Sequence, residues 1–124
     1  MKIAILGSGY IGNHLALVWS KNHFVTAVTR SSDRLKALQN KVQKTMLWHK
    51  TDSETIYQLL DENDALVLAA FADRQEDYES DYLQMAQTLK NAAIELGTPK
   101  KLIYNSSISI YGDHQGQWVD ETTP

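Results

Sequence analysis

Apolar positions along the chain fall into short β-branched runs separated by stretches with a helical period. The short runs predict strands at Lys2–Leu6, Phe24–Thr29, Thr45–Trp48, Ala65–Ala70 and Lys101–Asn105. Three- and four-residue spacing predicts helices around Ile11–Val18, Asp33–Asn40, Ser53–Leu60 and Tyr78–Leu96. Because strands and helices alternate with crossovers of this length, we expect an α/β fold with a parallel, doubly wound sheet of about five strands in the order 3-2-1-4-5.

The same spacing predicts which side of each helix faces the sheet. The apolar positions are Ile11, Leu15 and Val18 in the first helix, Leu35 and Leu38 in the second, Ile56, Leu59 and Leu60 in the third, and Tyr82, Met85, Leu89 and Ala93 in the fourth. Ser31 or Ser32 is expected to cap the second helix, and Asp52 or Ser53 the third, because their oxygens can accept first-turn N–H groups.

Three glycines stand where the first strand meets the first helix, in the segment Gly7-Ser8-Gly9-Tyr10-Ile11-Gly12. In a dinucleotide-binding fingerprint the first glycine permits the tight turn, the second lets the backbone approach a pyrophosphate, and the third lets helix pack against strand. The alternative is a set of ordinary turn glycines. The flanking strand and helix favour the fingerprint, and therefore a Rossmann domain whose glycine segment binds a dinucleotide.

Composition and charge exclude several classes of function but do not identify one. The chain has 124 residues, which suits one domain, a net charge of −3 and no cysteine. The absence of cysteine excludes disulfides and thiolate chemistry and fits a reducing compartment, so we expect the cytoplasm. Interspersed charges give no basic face for nucleic acid, and Ile3–Leu6 is too short to span a membrane. The four histidines have no partners at metal-ligand spacing, so no metal is expected.

The end of the second strand bears on which dinucleotide binds. An acidic residue usually stands there, about 20 residues past the glycines, and bonds the ribose of NAD. Here the position is taken by Arg30, followed by Ser31 and, further on, Arg34. A guanidinium can bind a 2′-phosphate bidentately, so these residues favour NADP over NAD. The alternative is that Arg30 is a solvated loop cation.

Two more loops are expected at the same edge of the sheet. Asp52 follows the third strand, where it could contact adenine or cap a helix. The segment Phe71-Ala72-Asp73-Arg74 follows the fourth strand and is expected to form the floor under the nicotinamide ribose, with Ala70, Phe71 and Ala72 at the cofactor. The ligand should therefore lie across the carboxyl ends of the first and fourth strands.

The stretch from Leu102 to Asp113 contains Ser106-Ser107-Ile108-Ser109-Ile110-Tyr111-Gly112. Together with the glycine segment and Trp118–Pro124, it resembles the extended and atypical short-chain dehydrogenase/reductases, the NAD-dependent epimerase/dehydratase family. Leu6 stands where the extended pattern has its first glycine, which is more similar to the atypical branch of nucleoside-diphosphate-sugar epimerases. The resemblance implies that residues 1–124 are the N-terminal NAD(P)-binding part of a longer fold.

By the same resemblance, Ser107 matches the catalytic serine and Tyr111 is expected to pack beside the nicotinamide rather than to act as acid or base. The family's tyrosine–lysine pair is absent, because no tyrosine of this chain has a lysine four residues later. The implied activity is hydride transfer on a carbonyl or sugar-nucleotide-like substrate that the residues do not identify. The alternative is a dinucleotide-binding module without turnover.

A chain that stops after the fifth strand should leave that strand as an apolar, unpaired edge. We expect a second copy of the chain to cover this edge or the face beneath it. The expected partners are thus a dinucleotide, a small-molecule substrate and another copy of the same protein.

Overall fold

The computed structural model describes residues 1–49, 52–69, 78–97, 101–105 and 111–124. Strands and helices alternate along the chain as β1 Lys2–Leu6, α1 Tyr10–Trp19, β2 Phe24–Thr29, α2 Ser32–Leu38, β3 Lys44–Leu47, α3 Ser53–Glu62, β4 Ala65–Leu68, α4 Tyr78–Leu96 and β5 Lys101–Tyr104. The predicted elements are all present. Their ends agree with the predicted ends at β1, β2 and α4 and differ by one or two residues at the other six elements, and Ala70 lies outside the described residues.

The five strands form one parallel sheet in the order β3-β2-β1-β4-β5, which confirms the predicted topology. The central strand is β1, and Leu6 at its end is level with Val28 of β2 and Leu68 of β4. The strand order reverses between β1 and β4. In sheets of this kind the crevice for a ligand lies beyond the carboxyl ends at that reversal.

The core lies on both faces of the sheet because alternate strand residues point to opposite sides. Ala4 and Leu6 face α3 and α4, where Leu59, Leu89 and Ala92 are buried. Ile3 and Ile5 face the other way. The second cluster holds Ile3, Ile5, Val25, Ala27 and Val67 from the strands, together with Ala16 and Leu38 from α1 and α2. β4 is an interior strand covered on both sides, which explains why it is apolar throughout.

The buried face of α1 differs from the predicted stripe. Gly12 and Ala16 are buried, whereas Ile11 is 41% exposed and Val18 is 43% exposed. Small side chains allow the helix axis to approach the sheet closely, so the contact is made by the smallest residues and the larger ones flank it. Leu15 is half-buried. A periodicity counted on large apolar residues alone misses a face of this kind.

The buried face of α4 also differs from the predicted one, by about one residue. Leu89 and Ala92 are buried, while Ala93 is exposed and Tyr82 and Met85 are half-buried. In the other two helices Leu38, Ile56, Leu59 and Leu60 are buried as predicted. Among the residues that the structure describes, no helix has the length and apolarity needed to cross a bilayer.

Candidate functional site

The turn after β1 is shaped by Gly7. Its φ of 105° lies in the left-handed region, where a side chain would be strained. Its N–H donates a hydrogen bond to the Val28 carbonyl at 2.9 Å, which continues the contact between β1 and β2 past the last paired residues. The chain thus leaves the sheet at its central strand and turns directly into α1.

Gly12 lies against this turn. A Cβ added to Gly12 would stand 1.7 Å from the Gly7 carbonyl oxygen and 2.9 Å from the Gly7 carbonyl carbon. Both atoms belong to the backbone, so only a residue without a side chain permits this approach. The roles predicted for Gly7 in the turn and for Gly12 in helix–strand packing are confirmed by the geometry.

The N-terminus of α1 is capped by Gly9, which has no side chain to occupy the first-turn donors. The first intrahelical bond runs from the Asn13 N–H to the Gly9 carbonyl at 2.9 Å, so the N–H groups of Tyr10, Ile11 and Gly12 precede it. A Cβ on Gly9 would meet no atom of the described residues within 4 Å. The described residues therefore leave the space beside Gly9 open, and Tyr10 next to it is 96% exposed.

Ser8 faces the protein rather than this open space. It is buried, and its hydroxyl donates to the Val28 carbonyl at 3.3 Å. The side chain therefore helps to attach the loop to β2. Any contact of Ser8 with a ligand would come from its backbone.

Arg30 follows the last residue of β2, and Trp48 follows the last residue of β3. Because Thr29 and Leu47 are paired in register, the two side chains are brought together at the carboxyl edge of the sheet. The guanidinium carbon of Arg30 lies 5.9 Å from the centroid of the Trp48 ring. The sequence assigned Trp48 only to the end of the third strand, and its place beside the end of the second strand is the one signal that points to this contact.

Ser31 caps α2, as one of the two predicted alternatives. Its hydroxyl oxygen accepts the backbone N–H of Arg34 at 3.3 Å, and its own N–H donates to the Thr29 hydroxyl at 3.1 Å. A hydroxyl that accepts one bond can still donate its hydrogen to an anion. Arg34 is exposed one turn further along. Ser31 and Arg34 thus stand at the start of α2, directly after Arg30, and their contact with a 2′-phosphate stays a prediction.

Asp52 is the N-cap of α3. Its carboxylate accepts the Thr55 hydroxyl and, at 3.2 Å, the Thr55 backbone N–H. These hydrogen bonds, the one from the hydroxyl foremost, lower the pKa of the Asp52 carboxyl below its ordinary value. The Asp52 carbonyl accepts the indole N–H of Trp48 at 3.3 Å. The helix-cap role is thus present, while a contact with adenine stays a prediction.

Four of the predicted site residues, namely Ala70, Phe71, Ala72 and Ser107, lie outside the described residues. Tyr111 is half-buried, and its carbonyl accepts a hydrogen bond from His114 Nε2 at 2.6 Å. The described residues contain no group of three or more histidines or acids that could hold a metal ion. The roles expected for Ser107 and Tyr111 stay predictions.

The chain belongs to the NAD(P)H-binding family, because the model of that family matches residues 7–123. Among curated proteins, it is 35% identical over 129 aligned residues to Protein YeeZ of Escherichia coli strain K12, and equally to the same protein of strain O157:H7. The match covers 99% of this chain and 46% of YeeZ. The chain therefore spans about half the length of the curated relatives that it matches.

Solved structures confirm the fold. The NAD complex of UDP-glucose 4-epimerase from Thermus thermophilus matches with a TM-score of 0.80 at 19% identity, over 100% of this chain and 44% of that one. UDP-N-acetylglucosamine 4-epimerase from Bacillus cereus matches with a TM-score of 0.74 at 20% identity, over 98% of this chain and 46% of that one. The expected resemblance to the epimerase/dehydratase group is confirmed at the level of the NAD(P)-binding fold.

Proposed function

We propose that residues 1–124 form the NAD(P)-binding domain of an oxidoreductase that transfers hydride on a carbonyl or sugar-nucleotide-like substrate. The pyrophosphate would lie at the N-terminus of α1, against the backbone of Gly7–Gly12. When bound, the nicotinamide supplies or accepts the hydride. Ala70, Phe71 and Ala72 would lie under its ribose, Tyr111 would pack beside its ring, and the Ser107 hydroxyl would donate a hydrogen bond to the substrate oxygen.

The observation that carries this proposal is the open N-terminus of α1. A Cβ built on Gly9 at this terminus meets no atom of the described residues within 4 Å, and Tyr10–Asn13 carry no acidic side chain. The other three helices have acids in the first turn, namely Asp33 in α2, Glu54 in α3, and Glu79 and Asp81 in α4. A carboxylate beside the α1 terminus would repel a phosphate, whereas its free N–H groups and the positive end of the helix dipole attract one.

Isothermal titration of the chain with NADPH and with NADH tests the function. We expect saturable binding of at least one of them at one site, and binding of neither would contradict the proposal. Loss of NADPH absorbance over a panel of carbonyl compounds and nucleotide sugars then tests turnover. Tight binding without turnover on that panel would favour the alternative, a binding module, for these 124 residues.

We infer that the preferred dinucleotide is NADP, because Arg30, Ser31 and Arg34 stand where an acid would serve NAD. Replacing Arg30 with alanine should weaken NADPH binding by roughly 10- to 100-fold, since hydrogen bonds to a charged group are lost, and should leave NADH binding nearly unchanged. Isothermal titration with both cofactors measures the ratio of the NADPH and NADH affinities. Lys36→Ala, which removes an exposed positive charge from α2, is the matched control and should leave the ratio as it is. An Arg30→Ala chain that keeps its preference would contradict the assignment.

We also propose that the protein resides in the cytoplasm, which the lack of cysteine fits.

We further propose that a second copy of the chain covers the exposed surface of α4 and β5. Leu83 is 62% exposed, and Leu102 and Tyr104 on β5 are about half exposed. These residues line one apolar groove together with Glu79 and Lys90, which lie about three helical turns apart on α4. In an antiparallel pair of α4 helices centred between Leu83 and Ala86, each Glu79 would face the other copy's Lys90.

The proposed pairing of Glu79 with Lys90 across the dimer can be tested by exchanging the two charges. Glu79→Lys and Lys90→Glu should each weaken the dimer by placing like charges face to face, and the double substitution should restore it. Sedimentation across a concentration series measures the dimer. A well-behaved monomer at high concentration would contradict the proposal, as would single variants that dimerise as the wild type does.

A further inference from the structure

We propose that Trp48 is a positioning residue for Arg30, so that the pair, and not the arginine alone, sets the preference for the 2′-phosphate of NADPH. This inference rests on the proposed function of Arg30. It adds a residue that no sequence motif of the chain assigns to the site. The contact joins two residues that are 18 positions apart in the chain and that follow neighbouring strands.

The geometry fits a cation held over an aromatic face. The Arg30 guanidinium carbon lies 5.9 Å from the Trp48 ring centroid, within the range of about 6 Å for attraction between a cation and a π face. Tryptophan provides the strongest such face among the aromatic side chains. A guanidinium carries five N–H donors in a rigid plane, and its attraction to the face of a ring uses none of them.

Trp48 is itself held firmly, which makes it a suitable platform. It is 4% exposed and belongs to the core cluster between the sheet and α3 and α4. Its backbone N–H donates to the Thr29 carbonyl at 2.9 Å, and its indole N–H donates to the Asp52 carbonyl at 3.3 Å. Asp52 is fixed in turn as the cap of α3 through Thr55. Trp48 is therefore held on the β2 side by its backbone N–H and on the α3 side by its indole N–H.

A fixed platform matters because a long arginine side chain loses much rotamer freedom when it binds a ligand. Contact with Trp48 restricts the guanidinium before the ligand arrives, so less freedom is lost on binding. This smaller loss of freedom favours a ligand whose phosphate binds to Arg30. We therefore expect Trp48 to affect NADPH binding more than NADH binding.

If Trp48 had only a structural role, its replacement would weaken the binding of NADPH and of NADH alike. The test therefore measures the ratio of the two affinities by isothermal titration. Trp48→Leu should lower the NADPH-to-NADH affinity ratio roughly 3- to 10-fold, and Trp48→Phe, which keeps a ring, should retain most of it. In an Arg30→Ala chain, the further change Trp48→Leu should leave the ratio unchanged. Such a result would show that Trp48 acts through Arg30.

A second measurement needs no change in the core. The δ protons of Arg30, assigned by their loss in Arg30→Lys, should show an upfield ring-current shift in the NMR spectrum of the wild-type chain. Absence of that shift would overturn the inference, even if Trp48→Leu fails to fold. The inference would also be overturned by a Trp48→Leu chain that folds and keeps the wild-type NADPH-to-NADH affinity ratio, while the Arg30→Ala chain loses that ratio. If the wild type binds the two cofactors equally, the NADP proposal fails and this inference fails with it.

Discussion

Replacing Gly12 with alanine is expected to destabilise the protein by about 3 kcal/mol or more. The added Cβ would stand 1.7 Å from the Gly7 carbonyl oxygen. Overpacking is usually relieved by a side chain that rotates away, but here the obstructing atoms are backbone. The chain can respond only by moving α1 off the sheet or by distorting the turn at Gly7. The first response separates Ala16 from the core, and the second strains the hydrogen bond from Gly7 to Val28.

Chemical denaturation followed by circular dichroism measures this loss as a change in the free energy of unfolding. Gly9→Ala is the matched control, because it makes the same chemical change three residues earlier in the same loop. A Gly12→Ala chain as stable as the Gly9→Ala chain would mean that α1 does not rest on the Gly7 turn. The described packing of helix on strand would then be wrong.

The Gly9→Ala chain should lose dinucleotide affinity while keeping its fold. The φ of Gly9 is −72°, which alanine tolerates, and the new Cβ would contact no atom of the described residues within 4 Å. That Cβ would instead occupy the space that the pyrophosphate needs in order to approach the α1 backbone. Steric conflict of this kind typically costs about 1–3 kcal/mol, which corresponds to roughly a 10- to 100-fold weaker affinity.

Isothermal titration with NADPH and NADH measures this loss, and thermal melting without ligand should give a midpoint close to the wild-type value. Both cofactors should be affected, because both carry the pyrophosphate. That result differs from the one expected for Arg30→Ala, which concerns NADPH alone. Unchanged affinity in a folded Gly9→Ala chain would remove the α1 N-terminus from the proposed site.

Much of the fold could be predicted from the sequence because it depends on local periodicity. Runs such as Phe24–Thr29 fit only a strand, and their alternation with helices leaves few ways to arrange a parallel sheet. The glycine segment could be predicted for a similar reason, since Gly7 and Gly12 are five residues apart and act within one turn and the start of one helix. Their roles are set by chain geometry over a short distance.

The buried faces of α1 and α4 show where periodicity was insufficient. In α1 the large apolar residues Ile11 and Val18 flank the contact, and Gly12 and Ala16 make it. In α4 a difference of one position exchanges Ala93 for Ala92. The hydrophobic pattern gives the side of a helix to within about one residue, and the closeness of approach to the sheet decides the rest.

The sequence by itself determined the order of the elements, the parallel sheet with its reversal beside β1, and the glycine turn, because each follows from contacts within a few dozen residues of chain. Only the tertiary structure decided that Ser8 bonds back to β2, that Asp52 rather than Ser53 caps α3, and that Arg30 lies over Trp48. The contacts of Ser8 and of Arg30 depend on the register between neighbouring strands and on which atoms meet at their ends. That register is a property of the packed sheet, and the spacing of residues along one strand does not specify it.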